Sequence, residues 1–227
     1  MNTYEIKQIA HVESDFNTKF GVPRQAGLVE ELEAEVVFEP EFRNPDALRG
    51  IEEFSHIWLI WQFSENLRDD WSPTVRPPRL GGNTRLGVFA TRSPFRPNAI
   101  GLSCVKLAGI RHDEKKGDVL VVQGADLVSG TPVFDIKPYI PYADCRPDAS
   151  EGFAPLPEER LNVLFESGTE EKIPEGKITA LKKILASDPR PRYQNDETRI
   201  YGMDFAGMNI KFTVSGDVLT VKEIEML

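Results

Sequence analysis

The sequence predicts a mainly β protein, with a mostly antiparallel, closed or nearly closed sheet followed by a small α+β unit. Three observations support this class. Short runs rich in β-branched and aromatic residues recur along the N-terminal part of the chain, separated by turn residues. The regular alternation of strand and helix that is typical of parallel sheets is missing there. The C-terminal part instead combines one helical pattern with alternating strand patterns.

Composition and charge indicate an ordinary globular chain. Hydrophobic residues make up 40% of the 227 residues, and the formal net charge is −9. No segment approaches the run of about 20 apolar residues that spans a bilayer, and residues 1–5 lack the basic and apolar regions of a signal peptide. We therefore expect a cytoplasmic protein without a membrane partner. A pI near 5.0 argues against coating long nucleic acid, but it permits a local RNA contact through one basic face.

Cysteine and histidine usage predicts neither a disulfide framework nor a metal site. Cys104 and Cys145 lie far apart and belong to no CxxC pair. The three histidines are too scattered to form a recognisable ligand set.

Seven segments of the N-terminal part have strand-like composition. In the second of them, apolar residues such as Ala34 and Val36 alternate with glutamates, as expected of a strand with one buried face. The predicted strands are residues 4–12, 32–38, 54–63, 84–91, 102–110, 119–122 and 131–136. Between the first two, residues 17–27 have no periodicity and are predicted to form a loop. Asn44 and Pro45 suit the start of a short helix that Gly50 would end.

The segment 54–63, FSHIWLIWQF, is almost continuously apolar. It is predicted to be a strand buried on both faces or against a partner subunit. His56 within it is better interpreted as a core or interface histidine than as a catalyst.

The composition changes after Tyr142, where prolines and charged residues replace apolar ones. We therefore predict a β domain over residues 1–145, a linker over 146–157 and a small α+β domain over 158–227. Alternation at 161–165 predicts a strand, and helical spacing from Ile178 to Leu185 predicts a helix that ends before Pro189. Alternating residues on either side of a turn at 215–217 predict a hairpin.

A positively charged stretch interrupts this acidic chain. Residues 73–107, hereafter the arginine-rich segment, contain five arginines, one lysine and no Asp or Glu. Proline steps and the Gly81-Gly82 pair restrict its backbone, which lowers the entropy cost of holding the arginines ready for a ligand. Such a segment predicts a site for an anion. The alternative is a solvated basic loop, but Val88, Phe89 and Phe95 supply apolar anchors that such a loop does not need.

No common nucleotide or hydrolase motif is present in the sequence: GxGxxG after a strand, a Walker A loop, GxSxG and HExxH are all missing. Polar groups do follow or interrupt the predicted strands at 23–25 (PRQ), 64–66 (SEN), 126–130 (DLVSG) and 135–139 (DIKPY). Each is weak evidence alone, because similar turns are common.

Taken together, these groups resemble the TrmO (TsaA-like) family of tRNA methyltransferases. The blocks that carry the resemblance are KFGVPRQAGL (19–28), RGIEEFSHIWLIWQF (49–63), TVRPPRLGGNTRLGVFATRSPFRPNAIGLS (74–103), DLVSGTPVFDIKPYIPYAD (126–144) and DPRPRY (188–193). The likeness extends over nearly the full length of the chain. It implies a single-sheeted β-barrel that binds S-adenosylmethionine without a Rossmann fold, a homodimer, and methylation of the amino nitrogen of threonylcarbamoyladenosine beside the anticodon.

The resemblance also implies site residues. The cofactor-binding positions would be Pro23, Arg24, Gln25, Ser64, Glu65, Arg92, Leu102, Asp126, Leu127, Val128 and Ser129. For the tRNA substrate we expect contacts from Arg76, Arg79, Arg85, Arg96 and Asn98. An arginine can hold the methionine carboxylate, and acidic or backbone groups can hold the amine and ribose.

Candidate catalytic residues are Asp135, Lys137 and Tyr139, because a base near the weakly nucleophilic urea-like nitrogen would help. The alternative is that Asp135 and Lys137 merely pair with each other. The chain departs from the family pattern at Ser64, where His is usual, and at Ala99, where Pro is usual. Ser64 lacks the titratable ring of histidine, so that position is not expected to deprotonate the substrate.

Two other function classes fit the arginine-rich segment. One is a non-catalytic RNA-binding module, and the other is a β-barrel enzyme acting on a small anionic metabolite.

Overall fold

A computed structural model describes residues 2–66, 70–80, 83–154, 161–190 and 196–227. The Gly81-Gly82 pair, the end of the predicted linker and the end of the DPRPRY block lie outside these ranges. No helix in the described part of the chain is long and apolar enough to cross a membrane.

The described residues contain twelve strands and two α-helices. The strands are β1 (Ala10–Glu13), β2 (Glu33–Phe38), β3 (His56–Gln62), β4 (Thr74–Val75), β5 (Leu86–Gly87), β6 (Ile100–Asp113), β7 (Gly117–Gln123), β8 (Pro132–Pro138), β9 (Asn162–Phe165), β10 (Tyr201–Phe205), β11 (Met208–Ser215) and β12 (Val218–Met226). The helices are α1 (Pro141–Asp144) and α2 (Ile178–Ala186).

Six strands form one antiparallel sheet in the order β1, β2, β7, β6, β3, β8, and β8 pairs back with β1 to close a barrel. Alternate side chains point inward, as in β3, where Ile57, Leu59 and Trp61 are buried. These residues join inward-facing ones from the neighbouring strands in a single apolar core. The predicted mainly β class with a mostly antiparallel sheet is confirmed.

Two predicted strands differ from the structure. Residues 4–9 are not a strand, because the ladder begins only where the Ile9 amide donates to the Val133 carbonyl at 2.8 Å. In the predicted strand 84–91, only Leu86–Gly87 pairs with another strand, and a 3-10 turn follows at Val88–Ala90. The helical backbone of that turn takes Val88–Ala90 out of the ladder, with Val88 buried and Phe89 exposed.

The strand predicted at 54–63 alternates instead of being buried on both faces. His56, Trp58, Ile60 and Gln62 point outward and are half-buried in the single chain. The apolar residues of this segment therefore lie on both faces of β3, one inside the barrel and one outside it. The short helix expected after Asn44 is present as a 3-10 helix, Pro45–Leu48, capped by the Asn44 side chain.

The C-terminal residues form a four-stranded sheet in the order β10, β11, β12, β9, packed with α2. The predicted helix and the predicted hairpin are both present. Strand β10 was not predicted from the sequence, although Tyr201, Met203 and Phe205 alternate within it, because Gly202 weakens the strand signal.

The loop after β1 belongs to the core of the C-terminal sheet. Phe16 packs against Phe205 with ring centroids 5.5 Å apart, and Phe20 stacks on Phe212 at 6.5 Å. The Asp15 carboxylate pairs with the Lys177 ammonium at 2.6 Å. Residues 14–32, hereafter the connecting loop, thus join the barrel to the C-terminal unit.

Candidate functional site

The tip of the connecting loop meets the arginine-rich segment. The exposed Arg92 guanidinium donates a hydrogen bond to the Gln25 side-chain oxygen, and the Gln25 amide donates to the Arg24 carbonyl. Pro23 lies beside them and is half-buried. The connecting loop and the arginine-rich segment, which are far apart in sequence, therefore contribute to one polar surface.

Backbone hydrogen bonds bring the DLVS turn, residues 126–129, to the same loop. The Gly27 amide donates to the Gly124 carbonyl, and the Ser129 amide donates to the Phe16 carbonyl, both at 2.8 Å. Gly124 has a φ of +75°, and a Cβ there would lie 3.2 Å from the Gly27 backbone. Glycine at this position is what allows the two turns to approach so closely.

Asp126 is a largely buried carboxylate at this junction. Ser103 donates a hydrogen bond to its Oδ1 at 2.6 Å, and the Trp61 indole N–H donates to the Ser103 hydroxyl at 3.0 Å. Burial raises the pKa of the Asp126 carboxyl, while the Ser103 hydrogen bond, backbone amides and the Arg92 charge act in the opposite direction. The ionised carboxylate is thus incompletely compensated by the protein, and a cationic ligand group would stabilise it.

Ser103 is a site residue that the sequence reasoning missed. It is 2% exposed and lies on the inner face of β6 between Gly101 and Val105. A side chain at Gly101 would overlap the Trp61 ring, so glycine makes room for the indole that orients Ser103. A polar residue at an inward position of an otherwise apolar strand was the available signal.

Other predicted cofactor positions are less closely grouped. Ser64 and Glu65 are exposed in the 3-10 turn Ser64–Asn66 that follows β3. This turn is tied to the arginine-rich segment because the adjacent Phe63 amide donates to the Ala99 carbonyl at 2.9 Å.

The Leu102 side chain does not join the group around Asp126. It is 54% exposed on the outer face of β6, opposite to Ser103. Leu127 is 1% exposed and packs in the barrel core, so only its backbone is available to a ligand. Its carbonyl already accepts a hydrogen bond from the Ser14 hydroxyl at 2.8 Å.

The arginines of the arginine-rich segment lie near one another in sequence but differ in burial and in the hydrogen bonds that hold their side chains. Arg96 is half-buried and donates to the Thr91 carbonyl at 3.1 Å, whereas Arg85 is exposed and donates to the Thr74 hydroxyl at 3.2 Å. Arg76 is exposed, and the Arg79 side chain lies outside what the structure describes. Arg76, Arg85, Arg92 and Arg96 form no salt bridge with any residue that the structure describes. Their charge is available to an anionic ligand.

A cavity of about 210 Å³ opens beside Arg96 and Asn98. Its lining also includes Asp70, Gln62 and the ring of Phe95. The cavity is polar in part and places the predicted substrate residues Arg96 and Asn98 at a common surface.

The three candidate catalytic residues do not form an evident base. The Asp135 carboxylate pairs with the Lys137 ammonium at 2.8 Å on the surface, which is the alternative that the sequence left open. Tyr139 packs near Trp58 with ring centroids 5.8 Å apart. Partial removal from water raises the pKa of the Tyr139 hydroxyl, which disfavours the ionised form that a base would require.

Comparison with known proteins gives two matches to family models. Residues 11–145 match the tRNA-methyltransferase O N-terminal domain, and residues 158–227 match the TrmO C-terminal domain. Both candidate ligand surfaces, around Asp126 and around Arg96, fall within the first match.

Individual relatives agree with the family models. Over 225 residues the chain is 40% identical to the tRNA (adenine(37)-N6)-methyltransferase of Escherichia coli (strain K12), which covers 95% of each protein. It is 41% identical over 211 residues to a Pseudomonas aeruginosa protein described as "Putative S-adenosylmethionine-dependent methyltransferase RcsF", covering 88% of each. A crystal structure of TrmO from P. aeruginosa superimposes with a TM-score of 0.81 at 32% identity, covering 100% of this chain and 99% of that one.

Proposed function

The chain belongs to the tRNA-methyltransferase O family, and on this premise we propose that it methylates tRNA with S-adenosylmethionine as the methyl donor. The observation that carries the proposal is the junction at which Arg92, the tip of the connecting loop and the buried carboxylate of Asp126 come together. Opposite charges are thereby presented to one ligand.

The charges of this junction fit the donor. S-adenosylmethionine has a carboxylate at one end and also carries an ammonium and a sulfonium. Arg92 would hold the carboxylate through a charge-assisted hydrogen bond. Asp126, whose ionised form is incompletely compensated, would hold a cationic or hydroxyl group of the donor. The backbone of Pro23, Arg24 and Gln25 would complete the pocket, and when bound the donor supplies the methyl group.

We propose that the acceptor is the amino nitrogen of the adenine at position 37, because the Escherichia coli relative carries that activity in its name. We further propose that this adenine bears the threonylcarbamoyl group. Threonylcarbamoyladenosine adds a carboxylate that plain adenosine lacks, and the anticodon loop adds phosphates. Arg85 and Arg96, which form no salt bridge with a described residue, can bind both kinds of anion.

We propose that much of the rate of methyl transfer comes from positioning the acceptor nitrogen against the methyl group of the donor. A nitrogen–carbon bond forms as the sulfur–carbon bond of the donor breaks, the donor leaves as the neutral thioether, and the proton of the nitrogen passes to solvent water. Because Asp135 is held by Lys137 and the ionised form of Tyr139 is disfavoured, neither is assigned as a base. The arginine-rich segment instead fixes the substrate carboxylate, and this aligns the nitrogen with the methyl group.

We also propose that the protein acts as a homodimer in the cytoplasm. On the outer face of the barrel, Ile60 lies directly opposite Leu102 across β3 and β6, and Ile100 follows at the same face. Leu102 is 54% and Ile100 is 41% exposed. A second copy of the chain would cover this apolar surface, which explains why Trp58 and Ile60 are apolar although they point out of the barrel.

Calorimetry with S-adenosylmethionine and a methyl-transfer assay on bulk tRNA test the proposal together. We expect both binding and transfer. RNA binding without S-adenosylmethionine binding would favour a non-catalytic RNA-binding module. Cofactor binding without methylation of tRNA would favour an enzyme acting on a small anionic metabolite.

A further inference from the structure

Two large aromatic side chains lie in contact on the surface outside the barrel. The rings of Trp71 and Phe89 have centroids 6.2 Å apart and an angle of 28° between their planes. Trp71 is 50% exposed and Phe89 is 72% exposed. About half of Trp71 and most of Phe89 therefore face water, although burying such rings is strongly favourable. Neither residue has a role in the site described above.

The backbone holds this pair in place. Strands β4 and β5 form a short ladder in which Thr74 pairs with Gly87, and the Val88 amide donates to the Pro73 carbonyl at 3.0 Å. Val88 is 1% exposed and anchors the 3-10 turn that carries Phe89 outward. The exposed rings are thus presented from a fixed scaffold, so little ordering entropy is lost when a ligand binds.

Two arginines lie on or next to the short ladder that carries the pair. Arg85 donates to the Thr74 hydroxyl on the same short ladder, and the exposed Arg76 directly follows β4. Asp69 and Asp70 precede Trp71 in sequence, while residues 73–107 contain no acidic residue. Positive charge next to an exposed aromatic face is the combination that binds single-stranded nucleic acid, since the charges attract phosphates and the rings stack on bases.

We propose that Trp71 and Phe89 form a stacking platform for one unpaired nucleobase of the RNA substrate. This proposal rests on the proposed function, and it adds a second contact surface to the arginines. Because the two rings already contact each other, the base stacks on an open ring face instead of inserting between them. A paired base in a duplex has no free face, so the platform selects loop nucleotides. Arg76 and Arg85 make RNA the favoured occupant over an apolar protein surface.

The test compares Trp71→Ala and Phe89→Ala with the matched controls Trp71→Phe and Phe89→Tyr, which keep an aromatic ring. We expect each alanine variant to bind an anticodon stem-loop RNA about 5- to 150-fold more weakly than the wild type. The aromatic controls should retain most of the affinity. Calorimetry with S-adenosylmethionine should give the same affinity for all four variants, which also shows that they are folded.

The salt dependence of RNA affinity distinguishes base stacking from phosphate contacts. The alanine variants lose no charge, so the slope of log affinity against log salt should equal that of the wild type, whereas Arg85→Ala should reduce it. Quenching of tryptophan fluorescence by the stem-loop should be smaller in Trp71→Phe, in which two of the three tryptophans remain.

Wild-type affinity of both alanine variants for the stem-loop would overturn the platform while leaving tRNA methylation intact. A shift of the alanine variants toward monomer in sedimentation would also overturn it, because the pair would then be a subunit contact. If the wild type failed to methylate tRNA but still bound the stem-loop through these rings, the proposed function would fail and the platform would stand. Absence of RNA binding by the wild type would overturn both.

Discussion

Ser103 donates a hydrogen bond of 2.6 Å to the Asp126 carboxylate from the inner face of the barrel. The same hydroxyl accepts from the Trp61 indole at 3.0 Å, so its proton is directed at Asp126. This short chain of hydrogen bonds partly offsets the burial that raises the pKa of Asp126. The carboxylate is thereby kept available for a cationic ligand.

Removing the Asp126 charge should change how stability depends on pH. Burial raises the pKa of Asp126 above its unfolded value, so its contribution to stability is fully present below the unfolded pKa and is lost as the pH rises through the folded pKa. Asp126→Asn should therefore gain stability relative to the wild type as the pH rises over that window. Urea unfolding of both proteins at a series of acidic pH values measures the difference. A difference that is constant with pH would show that Asp126 is not perturbed.

Ser103→Ala should weaken S-adenosylmethionine binding severalfold, because the Asp126 carboxylate loses the donor that stabilises its ionised form. Without this donor, the pKa of Asp126 rises further, and the protonated carboxyl attracts a cation less. Calorimetry at neutral and at alkaline pH measures the effect, and the loss should shrink as the pH rises. Ser103→Thr, which keeps the hydroxyl, is the matched control. Equal weakening in Ser103→Thr and Ser103→Ala would assign the effect to packing.

Arg92→Ala should reduce the affinity for S-adenosylmethionine by a few kcal/mol, because it removes one side of a charge-assisted pair. Gln25→Ala should have a smaller effect, since it leaves the guanidinium in place and removes only its tether. Calorimetry on the folded variants gives both numbers. Unchanged affinity in Arg92→Ala would place the carboxylate contact on another residue.

The C-terminal unit should support cofactor binding through the connecting loop. Phe20 stacks on Phe212, and its truncation to alanine would loosen the loop that carries Pro23, Arg24 and Gln25. We expect Phe20→Ala to lower both the stability and the S-adenosylmethionine affinity, whereas Phe20→Leu should lower them less. If Phe20→Ala bound the cofactor as tightly as the wild type, the loop would be ordered by the barrel alone.

The barrel strands and α2 could be predicted because their signals are local. Alternation of apolar and polar residues marks β2, and helical spacing followed by Pro189 marks the end of α2. The support of the connecting loop could not be predicted, because Phe20 and Phe212 are far apart in sequence and each looks like a residue of its own unit. Phe89 was predicted to lie in the strand 84–91 and to be an apolar anchor, whereas it is 72% exposed, because the apolar pattern does not show that Val88–Ala90 form a turn that faces outward.

The apolar outer face of β3 and β6 should hold two copies of the chain together. Sedimentation of the wild type at micromolar concentration should give about twice the chain mass of 25.6 kDa. Leu102→Asp should shift the protein to the monomer, because it would bury a charge in the subunit contact. Lys106→Asp reverses a charge four residues farther along the same face, opposite His56, and should leave the dimer intact. A monomeric wild type would contradict this assignment of the face.

We propose that the arginine-rich segment binds the carboxylate of a modified adenosine. The most direct measurement compares methyl transfer to one tRNA prepared with and without the threonylcarbamoyl group at adenine 37. We predict methylation of the modified tRNA and little or none of the unmodified one, because only the first presents the carboxylate to Arg96 and its neighbours. Equal methylation of the two tRNAs would contradict the account.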